Sequence, residues 1–319
     1  MDTKKCVAIL GSSIVAFCLA EAAYAAQCPA GFPSKPVQMW VGYTPGGLSD
    51  QLTRALSTII KKQQGWTVVV LNKGGAGSGV MFAELARAPA DGHTIGVSAG
   101  PSAVTSVPIT QPNNPYKPED FTYLGTAQKL DTGFASLSTA PFTNWKEMVA
   151  YAKKKGRLTV STAGADHQFF ADQISKAEGI NMVIVPATGA ADAVMMVLGG
   201  HTDMAISGTT HIEYLRSGQM RQIFTLGATR AAFADYAPST TELGYDIPGA
   251  DYYVYYAAPA GLSPELTACL SGALDEAVNT EEFAAVAAKF EAKPHNLGPQ
   301  GLTDFILSDA AKFKKYYSK

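Results

Sequence analysis

The feature that most constrains the fold of this chain is a short grammar that recurs along it. An apolar, β-branched run leads into a loop of small residues, which opens an amphipathic helix. The stretch "VVVLNKGGAGSGVMFAELA", Val68 to Ala86, states it in full, with glycine at four of the six positions from 74 to 79. "PVQMWVGYTPGGLSDQLTRAL" from Pro36, "RLTVSTAGADHQFFADQ" from Arg157 and "MVIVPATGAADAVMMVL" from Met182 repeat it. Strands that alternate with helices in this way predict an α/β fold with mostly parallel sheets.

The grammar runs twice, on either side of the polar, proline-rich passage "ITQPNNPYKPED", Ile109 to Asp120. Two sheet domains with helices on both faces follow, as a chain of this length leads one to expect. After about residue 248 only one strand pattern, "ADYYVYYAAPA", and three helical patterns remain, too little for a third parallel sheet. The tail is therefore expected to return to the first domain, giving residues 26–122 and 248–319 as one lobe, 123–247 as the other, and a two-strand hinge between them. Local signals set the helix ends. Ser49 or Asp50 is the expected N-cap of the first helix and Gly65 its stop, Asn144 with Glu147 forms a capping box, Asp166 starts a helix, and Ser263 caps another with Pro264 in its first turn.

The first 25 residues read as a secretory signal peptide. A short basic start precedes an apolar run from Cys6 to Ala20, with small residues at Ala23 and Ala25 before the expected cut. The run is shorter than the roughly 20 residues that a bilayer requires. Phe17 before Cys18 and Gln27 before Cys28 do not provide the small residue that lipid attachment needs. An exported, periplasmic protein is the expectation. Loss of the segment removes Asp2, Glu21, Lys4 and Lys5, two acids and two bases, so the formal net charge stays at −2. Nucleic acid is disfavoured, since the longest basic run, Lys153 to Lys155, closes a helix and complements its dipole. Cys28 and Cys269 would be the cysteines left, a candidate disulfide whose span the sequence does not give.

The glycine loop invites a nucleotide reading that its neighbours contradict. A dinucleotide fingerprint starting at Gly75 and Gly77 needs a third glycine where Val80 stands, and a P-loop starting at Gly74 needs Lys and Ser or Thr where Val80 and Met81 stand. "GVSAG", Gly96 to Gly100, matches the nucleophile elbow of serine hydrolases, with Ser98 as nucleophile and His167, His201, His211 or His295 as base. Pro101 and Pro108, however, leave little room for the helix that an elbow feeds. His201, Asp203 and His211 have no compact metal-ligand spacing, so neither a metal nor a cofactor is expected. What remains is the loops themselves, which offer free backbone N–H groups and the positive ends of helix dipoles, a device suited to carboxylates.

Taken in order, these segments resemble the extracytoplasmic solute receptors of tripartite tricarboxylate transporters, the Bug receptors. The likeness runs through "KPVQMWVGYTPGGLSDQLTRAL", "VVVLNKGGAGSGVMFAELARAPADGHTIGVSAG", "VSTAGADHQFFADQ", "VPATGAADAVMMVLGGHTDMAIS", "LRSGQMRQIFTLGATR" and "YYAAPAGLSPEL". It implies a two-lobed periplasmic binding protein of the Venus flytrap type. Such a receptor closes on a small aliphatic or aromatic carboxylate and delivers it to the membrane subunits of the transporter, as a monomer and without catalysis. Carried across, the ligand-binding residues are Tyr43, Thr44, Gly46, Gly47, Asp50, Gly77, Ser78, Ser98 and Ala99 in the first lobe. In the second they are Ala163, Gly164, Asp166, His167, Thr188 and Asp203. Backbone amides are expected to do most of the binding, with Ser78, Ser98, His167 and Thr188 as side-chain candidates. Ala187 and Thr188 stand where the family often has an aromatic residue and Lys, which makes a ligand with one carboxylate or an apolar far end plausible. The cluster Tyr252, Tyr253, Tyr255 and Tyr256 has two readings, lining the cleft or packing a crossing strand, and packing is preferred. A serine esterase at Ser98 and a sensory carboxylate receptor are the alternatives, and sequence does not separate transport from sensing.

Overall fold

A computed structural model describes residues 28–111, 113–162, 167–188 and 190–318. The expected signal peptide therefore lies outside the described residues. The strands form two five-stranded sheets. In chain order the first part contains β1 (Val37–Val41), α1 (Leu48–Gln64), β2 (Val68–Asn72), α2 (Gly79–Leu85), β3 (Thr94–Ala99), α3 (Ser102–Thr105), α4 (Val107–Thr110) and β4 (Phe121–Leu130). The second part contains β5 (Gly133–Leu137), α5 (Trp145–Lys155), β6 (Leu158–Thr162), α6 (His167–Glu178), β7 (Met182–Pro186), α7 (Ala190–Leu198), β8 (Met204–Ser207), α8 (Ile212–Arg216) and β9 (Met220–Thr225). β10 (Tyr252–Pro259), α9 (Pro264–Val278), α10 (Glu281–Ala287) and α11 (Gly298–Tyr317) complete the chain.

The first sheet has the order β2-β1-β3-β10-β4 and the second β7-β6-β8-β5-β9. In each, three neighbouring strands run parallel, as the strand-loop-helix grammar requires, and crossing strands join them antiparallel. β10 does return to the first sheet, between β3 and β4. The first crossing, however, falls at residues 131–132, later than the expected boundary after residue 122, because β4 pairs along its length with β10 in the first sheet.

Alternating side chains sort into two layers on each sheet. In the first sheet Met39, Val97, Val254 and Tyr256 join a core with Leu52, Leu56 and Ile60 of α1 and Leu270 and Leu274 of α9. Tyr255 and Ala257 face the opposite way, against Met81 and Phe82 of α2 and Leu302 and Ile306 of α11. In the second sheet Phe134, Met204 and Ile206 pack on α5 and α6, while Ala135 and Ala205 face Val194 and Val197 of α7. Ser263 caps α9 as read, accepting from the Leu266 N–H, whereas the expected capping box of α5 is half formed: Asn144 accepts from the Glu147 N–H, but the Glu147 carboxylate accepts from Thr143, one residue earlier. α1 differs. Its N-cap is Gly47, and Ser49 and Asp50 lie inside the first turn.

α11 ties the two halves together. Leu302 and Ile306 belong to the first lobe's core, whereas Phe313 lies in the second lobe's core, its ring centroid 4.9 Å from that of Phe169 on α6. Between these ends, the buried Asp309 accepts from the N–H of Gly249 on the second crossing at 2.7 Å. Cys28 and Cys269 form a disulfide that fixes the segment before β1 to α9.

Two stability measurements follow from this frame. Burial pushes the Asp309 carboxyl up to about 6, with Asp251 and Asp246 adding to the rise and Lys312 opposing it. The unfolded carboxyl ionises near pH 4, so the folded state holds its proton longer, and this group's contribution falls as pH rises from about 4 to about 6. Asp309→Asn retains an acceptor for Gly249 and should flatten that slope, raising stability above pH 6 by up to about 3 kcal/mol in chemical denaturation. Cys28→Ser should lower stability in urea by up to about 5.5 kcal/mol, the loop-closure entropy for a bond spanning 241 residues.

Candidate functional site

The loops after β1, β2 and β3 leave the same end of the first sheet, because these three strands are parallel. Asp50 braces the first loop. Its carboxylate accepts from the Gly46 N–H at 2.9 Å, from Asn72 Nδ2 at 2.9 Å and from Arg54 Nε at 3.0 Å, and the other Arg54 nitrogen lies 2.9 Å away. Asn72, the last residue of β2, also donates to the Tyr43 carbonyl and accepts from Arg54, so one amide side chain couples the first loop to the second. The Arg54 guanidinium, together with Gly46 and Asn72, outweighs burial and lowers the Asp50 carboxyl to about 2. The acid in the first turn of α1 is thus neutralised from within. The turn's own amides have no side-chain cap, since Gly47 has no side chain to offer.

The second loop is backbone turned outward. Residues 74–77 are exposed and are glycine or alanine throughout, and Gly75, Ala76, Gly77 and Ser78 have φ of 128°, 49°, 59° and 81°. Ala76 and Ser78 are held in a left-handed conformation that costs a residue with Cβ on the order of 1 kcal/mol or more. Ser78 is anchored below: its hydroxyl accepts from Ser98 Oγ at 2.9 Å, and both residues are fully buried. Gly42 permits this approach, since a Cβ there would stand 2.3 Å from Ser78 Oγ. Lys73, the cation of this loop, is paired with Glu84, and its Nζ lies 4.1 Å from the Trp40 ring centroid.

The third loop is fastened to the first. Tyr43 donates its phenol to the Ala99 carbonyl at 2.6 Å. Tyr43, Gly46, Asp50 and Ala99 therefore belong to one hydrogen-bonded set joined by Asn72, the Ser78 and Ser98 pair lies beside it through the Gly42 carbonyl, and Thr44, Gly46, Gly47 and Gly77 are exposed. Ser78 and Ser98, expected as side-chain contacts, turn their hydroxyls inward and hold the loops. Ser98 also lacks an elbow's surroundings. It is fully buried, its hydroxyl partner is Ser78, and only the short α3 follows.

In the second lobe, Ala163, Gly164 and Asp166 lie outside the described residues. His167, the first residue of α6, is buried, with Thr162 Oγ1 at its Nδ1 and the Tyr252 hydroxyl 3.2 Å from its Nε2. Thr188 is exposed at the start of α7, and both its N–H and its hydroxyl bond to Asp192, at 2.8 and 3.0 Å. Asp203 does not join these residues. It precedes β8 and bonds to Thr159 and Lys155, at the end of the sheet opposite the loops after β6 and β7. Burial opposes its ionisation, but Lys155 and Thr159 lower its pKa all the same, which marks a structural carboxylate.

Sequence reading missed three residues, Gly42, Arg54 and Asn72, and took Tyr252 for packing with the other tyrosines of its cluster. The Asp50 and Arg54 spacing of four on one helix face was a usable signal. Packing accounts for three residues of the tyrosine cluster, with Tyr255 and Tyr256 inside the first lobe's layers and Tyr253 between His295 and Phe305. Tyr252 alone of the four reaches His167.

Comparison with known proteins agrees with this fold. The family model described as "Tripartite tricarboxylate transporter family receptor" matches residues 52–319. A relative from Cupriavidus necator, "UPF0065 protein in gbd 5'region", is 28% identical over 100% of this chain and 98% of its own length. A TctC solute binding protein from Polaromonas superposes with a TM-score of 0.78 at 21% identity, covering 90% of this chain and 99% of the other. MatC from Rhodopseudomonas palustris, solved with bound malate, gives 0.71 at 20% identity, covering 89% and 99%. The chain belongs to the tripartite tricarboxylate transporter receptor family.

Proposed function

We propose that this protein is the periplasmic receptor of a tripartite carboxylate transporter. It is exported by its first 25 residues, acts as a monomer, and closes its two lobes on a small organic acid. It performs no chemistry and presents the closed form to the membrane subunits. The observation that carries this reading is the first-lobe surface. The uncapped first turn of α1 and the glycine-rich 74–77 loop offer backbone, and Arg54 and Asn72 cancel the one acid beside them. Such a surface attracts an anion through amides and a helix dipole and needs no lysine or arginine in contact with it. The malate bound by MatC shows the kind of acid that a protein of this fold accommodates. The buried Ser98, hydrogen-bonded to Ser78, supports binding over hydrolysis, and the family match favours transport over sensing.

Micromolar capture requires only about 8 kcal/mol. Thermal shifts of the purified protein against mono-, di- and tricarboxylates, aliphatic and aromatic, should show a concentration-dependent rise for at least one acid. A flat response to the whole panel, with ester hydrolysis abolished in Ser98→Ala, would overturn the reading.

Arg54→Met tests the neutralised acid. With Asp50 at about 2, its charge does not change above pH 4, and carboxylate affinity in the wild type should be flat from about pH 6 to 8, where the ligand is ionised as well. The variant leaves an uncompensated carboxylate in the first turn of α1. Its affinity at pH 7 should fall about fivefold or more, and adding Asp50→Asn to the variant should restore much of the loss, as measured by calorimetric titration.

A further inference from the structure

We infer that Arg216 and Glu291 form an electrostatic latch behind the hinge, which holds the cleft open and lowers the receptor's affinity for every acid alike. The inference rests on the two-lobed receptor reading above and adds to it a control on closure. A groove of about 840 Å³ runs between the lobes at the outer edge of both sheets. β4 is the last strand of the first sheet and β9 the last of the second, whereas the strands that carry the ligand loops, β1 to β3 and β6 to β7, stand on the other side of them. One wall of the groove follows the free edge of β4, where the His295 N–H donates to the Ala127 carbonyl at 3.0 Å and Thr126 Oγ1 donates to the His295 carbonyl at 2.7 Å. The other follows β9, where the Thr225 N–H donates to the Pro238 carbonyl at 2.9 Å and the Gln222 N–H to the Tyr236 hydroxyl at 3.1 Å. Lys129 and Asp131, at the first crossing, line the floor, and Lys129 donates to Thr229 of the second lobe at 2.7 Å.

Arg216, the last residue of α8, reaches across this groove from the second lobe to Glu291, which follows α10 in the first, with 2.8 Å between guanidinium and carboxylate. The backbone of Glu291 is left-handed, with φ of 56°, at a helix end where glycine is the favoured residue. The chain thus accepts strain at the position that supplies the carboxylate. The lobes turn about the crossings, so a rotation that brings the loops after β1 to β3 toward those after β6 and β7 draws the groove walls apart on the far side. The Lys129 contact, beside the crossing, moves little, whereas the Arg216 and Glu291 pair must part. Residues 44–47, 74–77 and Thr188 are exposed while the pair is formed, so the latched groove and the open cleft occur together. A receptor binds in proportion to the fraction of molecules free to close, so a latch that favours the open form weakens capture without touching the ligand. Arg216 is 61% exposed and Glu291 34%, which makes the pair a bias on the equilibrium and not a lock.

The test is calorimetric titration of malate, succinate and adipate into wild type, Glu291→Gln and Glu291→Arg, with small-angle scattering of each protein free of ligand. Glu291→Gln should bind every acid that the wild type binds about two- to fivefold more tightly. Glu291→Arg sets two like charges across the groove and should bind more tightly still. Combining Arg216→Glu with Glu291→Arg restores an opposite pair and should return the affinity to within about twofold of the wild type. Without ligand, Glu291→Arg should have a smaller radius of gyration than the wild type. Unchanged or weakened binding in both single variants overturns the inference, as does a gain that differs from one acid to another. A wild type that binds no carboxylate sinks the receptor reading, and the scattering then decides the latch by itself, an unchanged radius overturning it.

Discussion

The buried carboxylate of Asp50 is the constraint on which the ligand face depends. A glycine-rich loop that offers bare amides gains rigidity only from its surroundings, and here they are supplied by one acid, one guanidinium and one amide. Asp50 ties the Gly46 N–H to the helix, Arg54 cancels its charge, and Asn72 carries the connection to β2 and to Tyr43. Removing one partner would leave the others buried or half-buried and unsatisfied, which is the costly direction for a polar network. The arrangement also resolves an apparent conflict, because an acid in the turn that should attract an anion would otherwise repel it.

The same economy appears in the second loop. Four successive positive φ values, two of them at residues with Cβ, persist because Ser78 is pinned from below by Ser98 and because Gly42 leaves room for it. The strained loop runs from exposed Ala76 down to buried Ser78, and the compensating contacts lie one layer beneath. Hydroxyls that look like ligand contacts in a linear reading therefore serve as fasteners.

The two lobes share more than their crossing strands. α11 places Leu302 and Ile306 in one core and Phe313 in the other, with Asp309 fixed to Gly249 between them. Any rotation of the lobes must be accommodated along this helix and the crossings. Its distal aromatic residues Phe313 and Tyr316 pack on Phe169, two residues from His167, so α11 and α6 share one packed layer.

Much of this was legible in the sequence. The apolar periodicities, the glycine stops and the caps Asn144 and Ser263 fixed the order of strands and helices, and the count of elements in the tail returned β10 to the first sheet. These are local or counting properties, which a chain displays without being folded. The loops themselves were visible for the same reason, because small residues between a strand and a helix have few other uses. The side-chain roles were not visible. Whether Ser78 and Ser98 face ligand or each other, whether Asp203 stands at the loop end of its sheet or the opposite one, and which of four tyrosines reaches the other lobe depend on register and on contacts between residues far apart in the chain. The sequence by itself determined the two α/β lobes and the backbone chemistry of their loops. Tertiary structure alone decided which polar side chains are consumed in holding those loops and which are left to meet a ligand, because a hydrogen bond is assigned by distance in space and not by position in the chain.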